Sequence, residues 1–226
     1  MQMRHEYKHS INRMDYTILV SRLRGALSRD IHAGASGAYR VRSLYFDTPN
    51  DRALRDKVSG TDRREKFRIR RYPGSASPRI ALEKKVKIHG LCCKTAAFLT
   101  EAECNNIIIG HDIEWMAADG RPLVAEFYSK IRGALLRPKA IIEYSREPFV
   151  YAAGNVRVTF DTNIRTGLFS RDLLNDAAPL VPAGDEIVLM EVKYDAFIPS
   201  FIVDLLQVDG RRASACSKYA IGRMYG

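Results

Sequence analysis

The sequence has 226 residues with an ordinary apolar share of 46% and modest glycine and proline, 15 and 9 residues, which excludes collagen-like, low-complexity and disordered chains. The length suits a single domain over residues 1–226 with its own core. Lysine and arginine number 36 against 26 acidic residues, and this net charge of +10 implies an anionic partner: nucleic acid, a membrane surface or a phosphate-rich small molecule.

The first part of the chain predicts alternating strands and helices. Residues 3–12 alternate in a strand-like way, and residues 13–29 carry apolar side chains at three- and four-residue spacing, as an amphipathic helix does. Residues 38–48 are rich in aromatic and β-branched side chains and end before a proline, which favours a strand. Residues 50–58 predict one or two helical turns.

Two strongly charged strands are predicted next, at residues 64–72 and 79–88, and the short Gly/Ser/Pro link between them favours a hairpin. Thr100 has a glutamate at capping-box spacing, which predicts a helix over residues 101–109. A second helix is predicted over residues 121–135.

The last part of the chain returns to strands at residues 139–150, 155–163 and 186–195. Residues 164–184 have the prolines and glycine of a loop, and residues 199–208 predict a short helix that starts at a proline. The elements together predict an antiparallel α+β domain dominated by long strands.

Charged side chains, and one threonine among them, recur at every second position of these strands, so each set lies on one face of its strand. The sets are Arg4, Glu6 and Lys8; Arg68 and Arg70; Glu83, Lys85 and Lys87; Arg157, Thr159 and Asp161; and Glu191 and Lys193. Any one set is typical of a solvated face with surface salt bridges, which contribute about 0–1 kcal/mol. All five are explained together by strands that close into a barrel with a polar interior and helices outside.

Such an interior would be strongly basic, with a few carboxylates among the cations. Arginine binds phosphate oxygens in bidentate fashion, and lysine binds them as a point charge. Carboxylates among these cations suit Mg²⁺ or Mn²⁺, which is shared with phosphate oxygens. No nucleic-acid partner is expected, because Phe67 and Phe160 lie on the strand face opposite to the charges, whereas a stacking surface needs aromatic rings beside them.

The sequence also predicts a soluble, cytoplasmic chain. No apolar run approaches the roughly 18–20 residues of a membrane span, and the start of the chain lacks the apolar segment of a signal peptide. Cys92, Cys93, Cys104 and Cys216 have no zinc-site spacing and predict free thiols in a reducing compartment.

Seven motifs, in their order and spacing along almost the whole chain, resemble one known family. They are Arg4-His5-Glu6-Tyr7-Lys8, Ser43-Leu44-Tyr45-Phe46-Asp47-Thr48, Lys66-Phe67-Arg68-Ile69-Arg70-Arg71-Tyr72, Leu82-Glu83-Lys84-Lys85, Arg157-Val158-Thr159-Phe160-Asp161-Thr162-Asn163, Met190-Glu191-Val192-Lys193-Tyr194 and Ser217-Lys218-Tyr219. The chain resembles the VTC domain, the polyphosphate polymerase domain of the vacuolar transporter chaperone complex, in the triphosphate tunnel metalloenzyme (CYTH-like) superfamily. This resemblance implies an eight-stranded antiparallel β-barrel tunnel with a basic lumen and helices packed outside.

The resemblance implies a metal-dependent polymerase that transfers the γ-phosphate of ATP to a phosphate or polyphosphate acceptor and releases ADP. Many superfamily members carry ExExK on the first strand, whereas here Arg4 replaces the first glutamate, which resembles the polymerase branch. Two alternatives stay open: a tripolyphosphatase or nucleoside triphosphatase of the same fold, and a non-catalytic polyphosphate-binding module. No general base is assigned, because the acceptor phosphate is already an anion at neutral pH.

The resemblance also implies roles for individual residues. Those expected to grip the reacting phosphates are Lys8, Arg68, Arg70, Lys85, Arg157 and Lys193. Further substrate-binding residues are Arg4, Lys57, Lys94, Arg146, Ser217 and Lys218. Glu191, with Glu6 as a helper, is expected to hold Mn²⁺ or Mg²⁺. Because side chains alternate along a strand, only one of Arg146 and Glu143 is expected to face the lumen.

Overall fold

The computed structural model describes residues 3–74, 79–184, 187–208 and 216–224. Its helices are α1 (Arg13–Arg24), α2 (Arg52–Val58), α3 (Glu101–Ile109), α4 (Pro122–Gly133), α5 (Ser200–Leu205) and α6 (Lys218–Arg223). Its strands are β1 (His5–Ile11), β2 (Ser28–Arg29), β3 (Tyr39–Asp47), β4 (Arg64–Arg71), β5 (Ile80–Ile88), β6 (Leu91–Leu99), β7 (Arg137–Tyr151), β8 (Val156–Thr166), β9 (Val181–Pro182) and β10 (Val188–Tyr194). None of the described helices combines the length and the apolar character needed to cross a membrane.

The strands form one large antiparallel sheet. Eight of them make up its main path in the order β1-β10-β8-β7-β3-β4-β5-β6, while β2 pairs with β7 and β9 pairs with β8. The two ends of this path meet at a single bridge, where the backbone N–H groups of Arg4 and Cys92 each donate to the other's carbonyl at 2.9 Å. In the described part of the chain this bridge does not extend into a ladder. The mixed α+β class is therefore confirmed, but the closed eight-stranded barrel is not.

Helices cover the apolar outer face of the sheet. Phe67 of β4 stacks on Phe127 of α4, with ring centroids 5.1 Å apart, in a core that also includes residues of α3. Leu19 and Leu23 of α1 belong to a second core with Phe160 of β8. Because these apolar side chains occupy alternate strand positions, the intervening charged residues are directed to the inner face.

The short helix α6 packs against the inner face of the sheet. The ring of Tyr219 stacks on Tyr45 of β3 at 5.0 Å, and both belong to a third core with Ile142 of β7. Gly222 allows the close approach, because a Cβ at that position would lie 2.0 Å from Ile142 Cδ1. This helix brings Ser217 and Lys218 to the charged residues of the inner face.

Most predicted elements are confirmed, with ends that shift by a few residues. The capping box at Thr100 is present, since its side chain accepts from the N–H of Glu103 and the Glu103 carboxylate accepts from the N–H of Thr100. The prediction for residues 13–29 was too long, because α1 ends at Arg24 and the chain then enters β2. The link at residues 75–78 of the predicted hairpin lies outside the described residues.

Strand β6 was not predicted. Its sequence, LCCKTAAFL, has few of the β-branched and aromatic residues that favour strands. The strand forms because His89 and Gly90 adopt φ angles of 49° and 79°, a two-residue turn that reverses the chain onto β5. This strand places Lys94 directly opposite Lys85.

Candidate functional site

The charged faces of the strands meet on the inner side of the sheet. Antiparallel register sets Lys8 opposite Glu191 and Arg68 opposite Glu83, so their side chains stand close together. The inward cations are Lys8, Lys66, Arg68, Arg70, Lys85, Lys94, Arg146, Arg157, Lys193 and Lys218, and the inward carboxylates are Glu6, Glu83, Asp161 and Glu191. We call these residues the inner cluster. Its cations outnumber its carboxylates by more than two to one.

Glu6 and Glu191, on the neighbouring strands β1 and β10, lie among three lysines. Lys8 Nζ is 3.3 Å from an oxygen of each carboxylate. Lys85 donates to Glu6 at 2.6 Å, and Lys193 lies 2.6 Å from Glu191. Burial opposes ionisation, but the lysine charges prevail and lower the pKa of Glu6 and of Glu191. Both groups are therefore carboxylates at neutral pH.

Glu83 of β5 orients the two predicted arginines of β4. Arg68 Nε donates to Glu83 at 2.8 Å, and Arg70 Nε lies 3.7 Å from the same oxygen. Arg70 also donates to the hydroxyl of Tyr144 at 3.1 Å. Lys94 of β6 lies 2.8 Å from the other oxygen of Glu83, and about half of its side chain is exposed at the sheet edge. Because each guanidinium has five N–H donors, the arginines keep donors for a ligand.

Asp161 of β8 is wholly buried and holds two predicted cations. Arg146 donates from Nε and Nη2 to its two oxygens at 2.7 and 2.8 Å, and Lys218 of α6 contacts the same carboxylate. Glu143 instead accepts from Arg42 on the outer face at 2.7 Å. Of the pair Arg146 and Glu143, the structure therefore directs Arg146 inward.

Arg157, near the start of β8, and Arg4, which precedes β1, have their charged partners outside the inner cluster. Arg157 is 2.6 Å from Asp30 and donates to the hydroxyl of Tyr39 at 3.0 Å. Arg4 donates to Asp195 at 2.7 Å. Asp195 is the residue directly after β10. In the described contacts this carboxylate holds Arg4, and the structure does not bring Arg4 to Glu6 or Glu191.

A cavity of about 110 Å³ opens beside α2. Two predicted substrate-binding residues, Lys57 of α2 and Ser217 before α6, lie in its wall. Glu6, Lys8 and Lys85 of the inner cluster line it as well. The predicted residues therefore reach a space that a ligand can enter.

Glu83 and Asp161 of the inner cluster were not among the candidate site residues, and neither were Lys66 and Thr159 of the inner face. Lys66 precedes Arg68 by two positions, and its Nζ donates to Ser217 Oγ at 3.5 Å in the cavity. Thr159 of β8 is 2% exposed, and its hydroxyl has no hydrogen-bond partner within the part of the chain that the structure describes. The two-residue period that identified the charged residues applies to all four and could have identified them.

The carboxylates of the site fit a particular kind of metal binding. Over the described residues there is no group of three or more His, Cys, Asp or Glu suited to a metal ion. Glu6 and Glu191, however, are both ionised and share Lys8. Mg²⁺ is commonly bound by one or two carboxylates while substrate phosphates and water supply the other oxygens. The pair fits an ion that binds together with a phosphate ligand.

Comparison with known proteins gives one family and a shared fold. The family model of the VTC domain matches residues 3–225. A Bacillus halodurans protein named "putative adenylate cyclase (bh2851)" superposes with a TM-score of 0.52 at 17% identity, covering 85% of this chain and 80% of that one. The PH1012 protein of Pyrococcus horikoshii OT3 gives 0.50 at 10% identity, covering 97% and 99%. No curated protein matches the sequence. At these identities the two structures are evidence of the fold alone.

Proposed function

Because this chain belongs to the VTC domain family, we propose that it is a polyphosphate polymerase, which transfers the γ-phosphate of ATP to a growing chain of inorganic polyphosphate. The observation that carries the proposal is the excess of inward cations over carboxylates in the inner cluster. Arginine and lysine donors of this kind match the oxygens of consecutive phosphate groups. The proposed substrates are ATP and a phosphate or polyphosphate acceptor.

Catalysis then depends on positioning and on charge neutralisation more than on covalent chemistry. An oxygen of the acceptor phosphate attacks the γ-phosphorus, a new P–O bond forms, and the bond to the β-phosphate oxygen breaks to release ADP. Arg68 and Arg70, oriented by Glu83, donate to nonbridging oxygens. The other proposed phosphate-gripping residues are Lys8, Lys85, Arg157 and Lys193. The attacking oxygen is already anionic, so no side chain acts as a base.

Mn²⁺ or Mg²⁺ is the proposed cofactor, and Glu191 with Glu6 would hold it. When bound, such an ion neutralises charge on phosphate oxygens. Without it, Lys8 and Lys193 fix the two carboxylates in place. The phosphate ligand would supply the remaining oxygens, in line with the small number of carboxylates here.

A closed tunnel and a cytoplasmic location are parts of the same proposal. The bridge between Arg4 and Cys92 brings the two ends of the main strand path together, which supports closure around the inner cluster. A tunnel would surround an extended phosphate chain with cations as it grows. The four cysteines are free thiols, which supports a reducing compartment such as the cytoplasm.

Incubation of the purified protein with ATP and Mn²⁺ tests the proposal. Polyphosphate resolved on a gel, with ADP released in step, is the expected result. Orthophosphate without any chain would contradict it in favour of a hydrolase. ATP binding without turnover would contradict it in favour of a binding module.

A further inference from the structure

Lys66 differs from the other cations of the inner cluster. Each of the others has a carboxylate oxygen within 4 Å. Lys66 has no such partner among the residues that the structure describes, and its hydrogen bond runs from Nζ to Ser217 Oγ at 3.5 Å. A partly buried ammonium group without a counterion is unfavourable. Its position therefore suits an anion that the protein itself does not supply.

More cations of this kind surround the cavity beside Lys66. Lys57, Arg64 and Lys87 line it, and none of them forms an ion pair with a carboxylate of the described chain. Burial and the charge of Arg64 lower the pKa of Lys57. Burial and the charges of Lys8 and Lys85 lower the pKa of Lys66. With Lys66, four cations that have no ion pair within the described chain therefore face one space and repel one another.

The carboxylates at the cavity wall are paired with cations other than Lys66, Lys57, Arg64 and Lys87. Glu6 is held by Lys85 and Lys8. Glu65 pairs with Lys84 at 3.0 Å and also contacts Lys130. Neither carboxylate has an ion pair with Lys66. The charge balance of the cavity therefore calls for a bound anion.

We propose that this cavity is the acceptor subsite, in which Lys66 Nζ and Ser217 Oγ donate directly to a phosphate group of inorganic phosphate or polyphosphate. No aromatic residue occurs in its described wall, so there is no ring on which a nucleotide base could stack, and a ligand made only of phosphate is favoured. Naming the acceptor as the ligand rests on the proposed function. The anion site itself stands on the geometry of Lys66 and its neighbours.

Titration with inorganic tripolyphosphate in the absence of divalent ions, followed by calorimetry, tests the anion site. Lys66→Met should weaken binding about tenfold or more, because a hydrogen bond to a charged group is lost, whereas Lys66→Arg should stay within a few-fold of the wild type. The control is Arg132→Met, since Arg132 is an exposed cation of α4 whose partner Glu114 does not line the cavity. Unchanged binding in Lys66→Met would overturn the subsite.

Thermal unfolding without ligand separates a binding role from a structural one. Methionine keeps the length of the side chain and removes a repelled charge, so Lys66→Met should melt at the wild-type temperature or above it. A clear decrease would show that Lys66 stabilises the fold and would overturn its assignment as a ligand-binding residue.

Turnover kinetics identify the ligand as acceptor or donor. Lys66→Met should raise the KM for a tripolyphosphate acceptor about tenfold and change the KM for ATP less than about twofold. A rise confined to ATP would overturn the acceptor assignment. If no polymer forms in the wild type while tripolyphosphate binding still depends on Lys66, the polymerase function fails and the anion site holds.

Discussion

Arg146 grips both carboxylate oxygens of Asp161, with Nε and Nη2 at 2.7 and 2.8 Å. Asp161 is wholly buried, and Lys218 of α6 contacts the same carboxylate. One carboxylate therefore compensates two cations and connects α6 to the sheet. In a site with so many more cations than carboxylates, each buried carboxylate has a large share in keeping the ligand-free protein folded.

Asp161→Asn should destabilise the protein strongly. The asparagine keeps the shape of the side chain but leaves Arg146 and Lys218 without their negative partner, a loss of about 3–5 kcal/mol for a broken buried pair. Urea unfolding measures this loss of stability. The control is Asp112→Asn, an exposed residue with a φ of 51° that asparagine tolerates, which should change stability by less than about 0.5 kcal/mol. Equal stability of the two variants would contradict the role of Asp161.

Arg68→Ala should lower polyphosphate synthesis about ten- to hundredfold, because the charge-assisted hydrogen bonds that we propose between Arg68 and the transferred phosphoryl group would be lost. The initial rate of ADP release measures this effect. Arg13→Ala, on the exposed side of α1, is the matched control and should keep the wild-type rate. A wild-type rate in Arg68→Ala would mean that this arginine does not contact the reacting phosphates.

The two-residue period in the sequence predicts which residues of a strand share a face. It predicted that only one of Arg146 and Glu143 faces inward, and the structure shows that this residue is Arg146. It could not give the partners of each charge, because these depend on strand order and register. Arg4, for example, is held by Asp195, which is placed beside it only by the pairing of β1 with β10.

Other features of the structure could not be predicted from the sequence. Strand β6 has weak strand propensity, and the turn at His89 and Gly90 creates it. Lys66 has the right spacing, but the sequence does not show that it lacks a carboxylate partner. That property arises only when β4, β5 and the residues before α6 come together around the cavity. Tertiary packing also decides whether the sheet closes, and among the described residues the ends of its main strand path meet at one bridge, between Arg4 and Cys92.

Glu191→Gln should abolish metal-dependent turnover. It should also lower the free energy of unfolding, because Lys8 and Lys193 lose a carboxylate partner, but the protein should stay folded at neutral pH. The amide keeps the volume of the side chain but removes the negative charge that a divalent ion needs. The metal dependence is measured as activity across a Mn²⁺ titration. Circular dichroism is the control for folding. Glu126→Gln on α4, whose partner is Lys84 on the outer face, is the matched variant and should respond to Mn²⁺ like the wild type. Full activity in Glu191→Gln would contradict the metal-binding role.

Acid should unfold the protein by protonating the inner carboxylates. Burial raises the pKa of these carboxyl groups, but the neighbouring cations have the larger effect and lower each pKa in the folded state. These carboxylates are Glu6, Glu83, Asp161 and Glu191. A group with a lowered folded pKa adds stability above its unfolded pKa, and this contribution is lost as the pH falls through the folded value.

The free energy of unfolding should therefore decrease steadily as the pH drops below about 4.5, the ordinary pKa of glutamate. Urea unfolding between pH 3 and pH 7 measures the slope. Glu83→Gln should be less stable at pH 7 and should show a shallower slope, because one of the titrating groups is missing. A slope as steep as that of the wild type would contradict the contribution of Glu83.

Thr159→Val tests the hydroxyl that has no partner among the described residues. Valine matches threonine in shape and favours strands, and burying an unpaired hydroxyl is itself unfavourable. The variant should therefore be as stable as the wild type or more stable, by up to about 1 kcal/mol. If the hydroxyl donates to a bound phosphate, tripolyphosphate should bind about two- to tenfold more weakly, as expected for one lost neutral hydrogen bond.

The matched control for this substitution is Thr95→Val on β6, which lies opposite Lys84 on the outer face and should bind tripolyphosphate as the wild type does. Calorimetry measures tripolyphosphate binding by both variants, and thermal unfolding measures their stability. Weaker binding with undiminished stability in Thr159→Val alone assigns the hydroxyl to the ligand. A loss of more than about 1 kcal/mol of stability would mean instead that the hydroxyl serves the fold, because a group that only awaits a phosphate contributes nothing to the ligand-free protein.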